Sequence, residues 1–323
     1  MKRIPIGISH CLLGEAVRYD GDHQRNEKLV SLQDILEYRG ICPEVSAGLG
    51  VPRDPIRLIK AGEQIRALQY TSPPRDVTEA LVFQAELTVA QHPDICGYIF
   101  MQRSPSCGLF TVKQFNDSNS LISTDGRGVY ARQLAKLMPL IPMEEAGRLS
   151  DRRHYENFLV RVAVLRDWKH NIKSDAKIEE LRQFYERYRY QVMAQHLFIH
   201  VELEHLLASD VMIASAALKN RFIGRVMLAL GFLPTHGGNV RTLRYLRDQL
   251  KRYSNRIEQI NLSRMIEAYQ HKQCALSVPL AQVRILLSRH GLLDMDADQF
   301  WHSIVHRTGI NSFVFTKNPS VVS

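Results

Sequence analysis

The stretch CGYIFMQRSPSCG, residues 96–108, decides how the first half of this chain is read. CGYIFM is an unbroken apolar and aromatic run, the pattern of a strand buried on both faces. The residues after it place Cys107 between a serine and a glycine, in a loop kinked by Pro105, just where that strand ends. Working outward, IPIGIS (4–9) reads as a strand ending at Cys11, and LVSLQDILEYRG (29–40) as a helix closed by Gly40. ICPEV (41–45) reads as a brief strand or strand end at Cys42. RDVTEALVFQAELTVAQH (75–92) reads as a helix opened by the capping-box-like pair Asp76 and Glu79, with Leu81, Ala85 and Val89 on one side. LFTVKQF (109–115) is a shorter strand, and GRGVYARQLAKLMPLIPM (126–143) a helix followed by a strand. Strands separated by helices imply an α/β domain with a Rossmann-like parallel sheet.

The second half differs in kind, with long proline-free stretches patterned at helical period. Phe158, Val162 and Leu165 share a face in HYENFLVRVAVLRDWKHN (154–171). Ile178, Leu181, Tyr185, Tyr188 and Val192 do so in DAKIEELRQFYERYRYQVMAQH (175–196). Two further helical blocks, about 210–230 and about 240–272, flank a turn at LPTHGGN (233–239), and a shorter helix after Pro279 leads to a looser tail. A chain of 323 residues exceeds what one core organises. The expectation is an α/β N-terminal domain over residues 1–145 and an all-α C-terminal helical domain over 146–323, divided near EEAGRLSD (144–151).

Hydrophobic residues at 45% and charged residues at 23% describe an ordinary folded protein and exclude a disordered chain. No apolar run approaches the roughly 20 residues that span a bilayer, and the apolar part of MKRIPIGISHC is too short for a signal peptide. The expected location is the cytoplasm, with no membrane partner. The net charge of +9 is uneven: residues 1–145 carry 16 Lys+Arg against 17 Asp+Glu, and residues 146–323 carry 26 against 16. A polyanion-binding surface is therefore expected on the C-terminal half.

The five cysteines are odd in number and irregular in spacing, which favours metal binding or catalysis over structural disulfides. Cys11, Cys42 and Cys107 each fall at or just past a strand end, where the loops of an open parallel sheet converge, so one metal centre could take all three thiols. The alternative for each is a small buried apolar residue, the reading adopted for Cys96 and Cys274. Glu44 lies two residues past Cys42, and Ser104 and Ser106 flank Pro105; they can move or direct a proton, or serve as a cap and turn residues. In the basic half, NVRTLRYLRDQLKRYSNR (239–256) sets Arg241, Arg244, Arg247 and Lys251 along one helical side, with Arg252 and Arg256 extending it, and Arg221 and Arg225 form another pair. Such stripes bind phosphates through charge and counterion release. RQFYERYRYQ (182–191) interleaves tyrosines with arginines, a composition for base stacking or for a helix core. His196, His200 and Glu204, four apart, could ligate zinc, but packed or capping histidines are the commoner outcome.

GISHCLLGEAVRYDG (7–21), CPEVSAGLGVPRDP (42–55), DVTEAL (76–81) and RSPSCG (103–108) resemble, in the same order, the thiouracil desulfidase family of TudS-like proteins. LMPLIPMEEAGRLSDRRHYENFLVRV (137–162) resembles the start of the YbgA-like helical domain often fused to that family, the arrangement of RudS-type enzymes that remove sulfur from 4-thiouridine in tRNA or its nucleotide. The resemblance implies a [4Fe-4S] cluster held by Cys11, Cys42 and Cys107, with one iron lacking a protein ligand. It implies Glu44 as acid/base residue, assisted by a serine of SPSCG, with Ser104 preferred to Ser106. The reaction would exchange sulfur for oxygen and release hydrogen sulfide without a redox partner. Free thiouracil or thio-UMP is an alternative substrate, and a non-catalytic RNA-binding protein with structural zinc an alternative function. Two positions depart from the family's pattern: His10, where a small residue is usual, and Gln102, where a charge is common.

Overall fold

A computed structural model describes residues 3–208 and 212–291. The chain divides into two compact units after Phe158.

The first unit is built on two sheets. Four strands, β1 (Ile4–Ser9), β2 (Leu36–Ile41), β6 (Tyr98–Phe100) and β9 (Met143–Glu145), form a wholly parallel sheet in the order β2-β1-β6-β9. Ile4, Ile6, Ile8, Tyr98, Ile99 and Phe100 are buried in it, as strands in the middle of a parallel layer require. Strand order reverses between β1 and β6, the place where open parallel sheets leave a crevice at their carboxyl ends. The parallel α/β expectation holds for this layer.

A second, mixed sheet was not anticipated. Strands β3 (Ile56–Ala61), β4 (Gln64–Gln69), β5 (Arg75–Asp76), β7 (Val112–Phe115) and β8 (Leu121–Gly126) pair in the order β5-β4-β3-β7-β8, antiparallel except for β3 with β7. LFTVKQF belongs here and not to the parallel layer. Leu49, Ile56, Leu58, Ala67, Val77, Leu81, Val112 and Val129 form the core beneath this sheet.

Four helices complete the unit: α1 (Glu27–Val30), α2 (Pro43–Ser46), α3 (Thr78–Gln91) and α4 (Val129–Leu137). The helix expected over LVSLQDILEYRG is corrected by the structure: only α1 is helical, and residues 36–41 are β2, aligned with β1 from Ile4↔Leu36 to Ser9↔Ile41. Gly40 is therefore no helix stop. It stands in a strand against the imidazole of His10, where an added Cβ would come within 2.4 Å of the ring. The capping box expected at Asp76 and Glu79 is also replaced: Val77 is the cap position, and Asp76 accepts hydrogen bonds from the amide (2.9 Å) and hydroxyl (2.6 Å) of Thr78.

The second unit is helical, as expected: α5 (Arg152–Asn171), which begins in the first unit, then α6 (Ile178–Gln195), α7 (Leu197–Leu207), α8 (Ala216–Gly231), α9 (His236–Leu250), α10 (Arg256–Gln270) and α11 (Ser277–Arg289). Leu243, Leu246 and Leu250 of α9 pack with Leu262, Ile266, Leu280, Val283 and Leu286 into one core. The expected turn at LPTHGGN is shorter than its glycines suggest. Thr235 caps α9 by accepting from the amide of Gly238, and both glycines lie inside the helix. Gly238 serves packing: a Cβ there would lie 2.1 Å from the Ala194 carbonyl oxygen on α6. The tail expected after about residue 290 lies outside the described residues. No helix among the described residues is long and apolar enough to cross a membrane.

Candidate active site

Three neighbouring strands, β2, β1 and β6, each hand the chain into a loop that carries a cysteine at the carboxyl edge of the parallel sheet. A 3₁₀ turn, His10–Leu13, follows β1 and carries Cys11. Cys42 follows β2 directly and precedes α2, whose first residue is Pro43. Cys107 sits in the SPSCG loop after β6. The ends of β1 and β6 are tied where the Met101 amide donates to the Ser9 hydroxyl at 3.0 Å.

Many local bonds hold the SPSCG loop. The first turn of α4 rests on it, with the amides of Val129 and Ala131 donating to the carbonyls of Pro105 and Ser106 at 3.0 and 3.1 Å. The Ser104 hydroxyl accepts from the amides of Ser106 (3.3 Å) and Cys107 (3.1 Å). Immediately downstream, Glu145 at the end of β9 accepts from the amides of Leu109 (2.7 Å) and Phe110 (3.0 Å). The proline bend and the serine cap thus fix the backbone that presents the Cys107 thiol.

Cys11, Cys42, Cys107, Glu44 and Ser104 line one cavity of about 510 Å³. Ser106 does not line it; it is fully buried, and its hydroxyl donates to Glu44 Oε1. The other carboxylate oxygen accepts from Arg53 Nε at 2.7 Å. Arg53 was not singled out from the sequence, although it lies in the quoted CPEVSAGLGVPRDP. Its side chain is 3% exposed, and it donates also to the carbonyls of Gly50 (2.8 Å) and Val17 (2.9 Å) and lies 3.9 Å from Cys42 Sγ. Glu44, half-buried, is thereby held by both oxygens in charge-assisted hydrogen bonds.

Burial pushes the Cys11 thiol up to about 11, with a further rise from the neighbouring Cys42. Burial raises Cys42 as well. Cys107 is held well above the usual thiol range by burial, then by Cys42 and Glu44. Cys42 thus raises both of the other thiols and Cys11 raises Cys107, and the protein alone keeps them protonated. A metal centre relieves this, since coordination deprotonates a thiol outright. Among the described residues, no three His, Cys, Asp or Glu gather closely enough to ligate a single metal ion. The three thiols ring a cavity instead of meeting at one point, a donor set suited to a multi-atom iron–sulfur cluster.

The remaining cysteines follow the packed reading. Cys96 is buried just before β6, towards its amino end, and donates to the Asp94 carbonyl; Cys274 donates to the Met265 carbonyl. His10 and Gln102, the two departures from the family pattern, both line the thiol cavity. His10 also packs on Gly40, and Gln102 Oε1 accepts from the Gly147 amide at 3.3 Å.

In the helical unit the structure redistributes the expected roles. Arg241 and Arg244 are exposed on α9; Arg244 donates to Gln270 Oε1 at 2.6 Å. Arg247 and Lys251 both pair with Asp248, each at 2.9 Å, so a carboxylate sits within the expected stripe. Arg221 and Arg225 both pair with Glu202 of α7. The stacking role for RQFYERYRYQ is corrected: Tyr185, Tyr188 and Tyr190 are all buried, with the Tyr185 hydroxyl on His200 Nδ1 at 2.8 Å and that of Tyr188 on Asp167. Tyrosines at helical spacing fill this core. His196 caps α7 by accepting from the Ile199 amide, and burial lowers His200 to about 4, keeping it neutral. Neither histidine is arranged as a zinc ligand.

Comparison with known proteins locates both units. A family described as 2-thiouracil desulfurase matches residues 6–146, and a protein family of unknown function, DUF1722, matches residues 189–302. The uncharacterized protein YbbK of Bacillus subtilis (strain 168) is 34% identical over 133 residues, 39% of this chain and 87% of that protein. A solved structure of a [4Fe-4S]-dependent thiouracil desulfidase, TudS, is 29% identical; the match covers 46% of this chain and 94% of that one, with a TM-score of 0.38.

Proposed function

The chain belongs, through residues 6–146, to the 2-thiouracil desulfurase family, and we propose that it is a [4Fe-4S]-dependent desulfidase converting 4-thiouridine, in tRNA or as its nucleotide, to uridine. The observation that carries this reading is the convergence of three thiols, from three adjacent strand ends, on the cavity that Glu44 also lines. Cys11, Cys42 and Cys107 would hold the cluster. Bound there, it would supply a soft, Lewis-acidic iron position matched to a thiocarbonyl sulfur.

The chain's own residues supply the proton chemistry. Overall, C=S and water become C=O and hydrogen sulfide: the water oxygen stays on the ring carbon, both its protons leave with sulfide, and no electron enters or leaves. Glu44 takes a proton from the attacking water and returns one to the departing sulfur. Ser106 and Arg53 each hold one of its oxygens and so aim the carboxylate. Ser104, which lines the cavity, would contact the substrate, and its hydroxyl braces the loop that carries Cys107.

For the polymer substrate, the support is the excess of 26 Lys+Arg over 16 Asp+Glu in residues 146–323, with Arg241, Arg244, Arg247, Lys251, Arg221 and Arg225 as the RNA-facing cations. A thiouridine stacked in folded tRNA has to be turned out to reach such a cavity. The second reading keeps the chemistry on free thiouracil or thio-UMP. It is favoured by the burial of the three tyrosines and by the ion pairs of Asp248 and Glu202. Anaerobic cluster reconstitution, followed by incubation with 4-thiouridine-containing tRNA and with thio-UMP, tests both. Sulfide release and loss of the thiouridine absorbance are expected; their absence from every thiolated substrate refutes the desulfidase reading.

A further inference from the structure

One buried guanidinium reaches both the carboxylate and a thiol of the site. Arg53 donates through Nε to Glu44 Oε2 at 2.7 Å, and its Nη2 faces both the Val17 carbonyl, at 2.9 Å, and Cys42 Sγ, at 3.9 Å. Nη1 donates to the Gly50 carbonyl at 2.8 Å, so all three nitrogens are engaged. The Cys42 thiol itself donates to the same Val17 carbonyl, at 3.6 Å.

As an iron ligand Cys42 has no proton to give. Its sulfur and the Val17 oxygen are then two electron-rich neighbours that need a donor facing both, and Arg53 Nη2 already stands there. Arg18 is the cation that opposes the rise burial gives Cys11. Its side chain, however, is 22% exposed and paired with Asp20, whereas that of Arg53 is 3% exposed, and a charge acts more strongly where water is excluded. We propose that Arg53 is a positioning residue for the metal centre as well as for Glu44. Its Nη2 donates a charge-assisted hydrogen bond to the Cys42 sulfur when that sulfur binds iron, so one planar fork holds the acid/base carboxylate and a cluster ligand together. This inference rests on the desulfidase reading, which supplies the cluster. Charge and hydrogen bonds at a cluster's sulfurs set its reduction potential and its hold on iron, and both can be read without substrate.

Redox titration of the anaerobically reconstituted full chain, followed by electron paramagnetic resonance, tests it. Arg53→Gln should lower the midpoint potential, because the cation and its hydrogen bond stabilise the more negative, reduced state. Arg53→Lys, which restores the charge without the fork, should recover most of the shift. Glu44→Gln removes an anion and keeps Arg53, so its potential should hold or rise although turnover falls. Iron release to a chelator under argon is the second readout. It should be about tenfold faster in Arg53→Gln, the low end of the cost of removing a metal ligand's hydrogen-bond partner, and unchanged in Glu44→Gln. If Arg53 served Glu44 alone, Arg53→Gln would be slow in turnover with wild-type potential and iron release, and that result overturns the proposal. Should circular dichroism show Arg53→Gln unfolded, Arg53→Lys decides: several-fold faster iron release supports the proposal, and the wild-type rate overturns it. A wild-type chain that takes up no cluster overturns the desulfidase reading and this inference together. A cluster indifferent to both Arg53 substitutions overturns the inference alone.

Discussion

The two units use polar residues in opposite ways. In the sheet unit, Arg53 and Ser106 come from separate loops to bond Glu44 of α2 beside the three thiols. In the helical unit, Arg247 and Lys251 pair with Asp248 one and three residues away, and the tyrosines of α6 are core. Buried polar groups cost free energy unless each finds a partner. The cluster beside the thiols joins segments far apart in the chain at a cavity, whereas Arg247, Asp248 and Lys251 pair within one turn on a helix surface.

The contrast can be broken at several points. The largest effect is expected from Cys42→Ala: iron uptake, visible absorption and sulfide release after anaerobic reconstitution should all fall to background. A variant that stays brown would separate Cys42 from the cluster. Glu44→Gln should keep the absorption but lose about 10²–10⁴-fold in turnover, the range of a positioned acid/base group; an unchanged rate would move proton transfer elsewhere. Gly238→Val tests the helical unit as packing, since its side chain would collide with the Ala194 carbonyl. Urea unfolding should report a loss of about 1–3 kcal/mol with the visible spectrum of the reconstituted protein unchanged.

The smaller effects sharpen the comparison. Arg244→Glu with Lys251→Glu should weaken tRNA binding and flatten its dependence on log salt by about two, as measured by filter binding across a salt series. An unchanged slope would confine RNA contacts to other surfaces. Asp248→Asn frees Arg247 and Lys251, and should strengthen tRNA binding by about two- to threefold at low salt. A neutral result there would show that those two cations face no phosphate.

Much of the sheet unit was legible because its signals are local. The apolar run of β6, the strand before Cys11 and the bends at Pro43 and Pro105 all read from a few residues. LEYRGI was misread because its partner is non-local: Leu29–Gly40 has helix composition, and only pairing with β1 makes residues 36–41 a strand. In the second sheet only the joining of its two local hairpins is non-local, since β3 meets β7 across more than fifty residues of chain. Arg53 was overlooked because an arginine in a loop resembles any surface cation until its carboxylate partner is seen. In α9 the errors had different causes. The glycines suggested a turn where they permit a helix crossing, and counting cations at three- and four-residue steps passed over the acid between them.

The bond from Glu145 to the backbone after Cys107 has a consequence for biogenesis. The backbone just after the third thiol gains its Glu145 clasp only when β9, late in its unit, has joined the sheet edge. During synthesis Cys11 and Cys42 leave the ribosome long before that clasp exists. The last backbone clasp beside the site is therefore made after the two earlier thiols have already been synthesised.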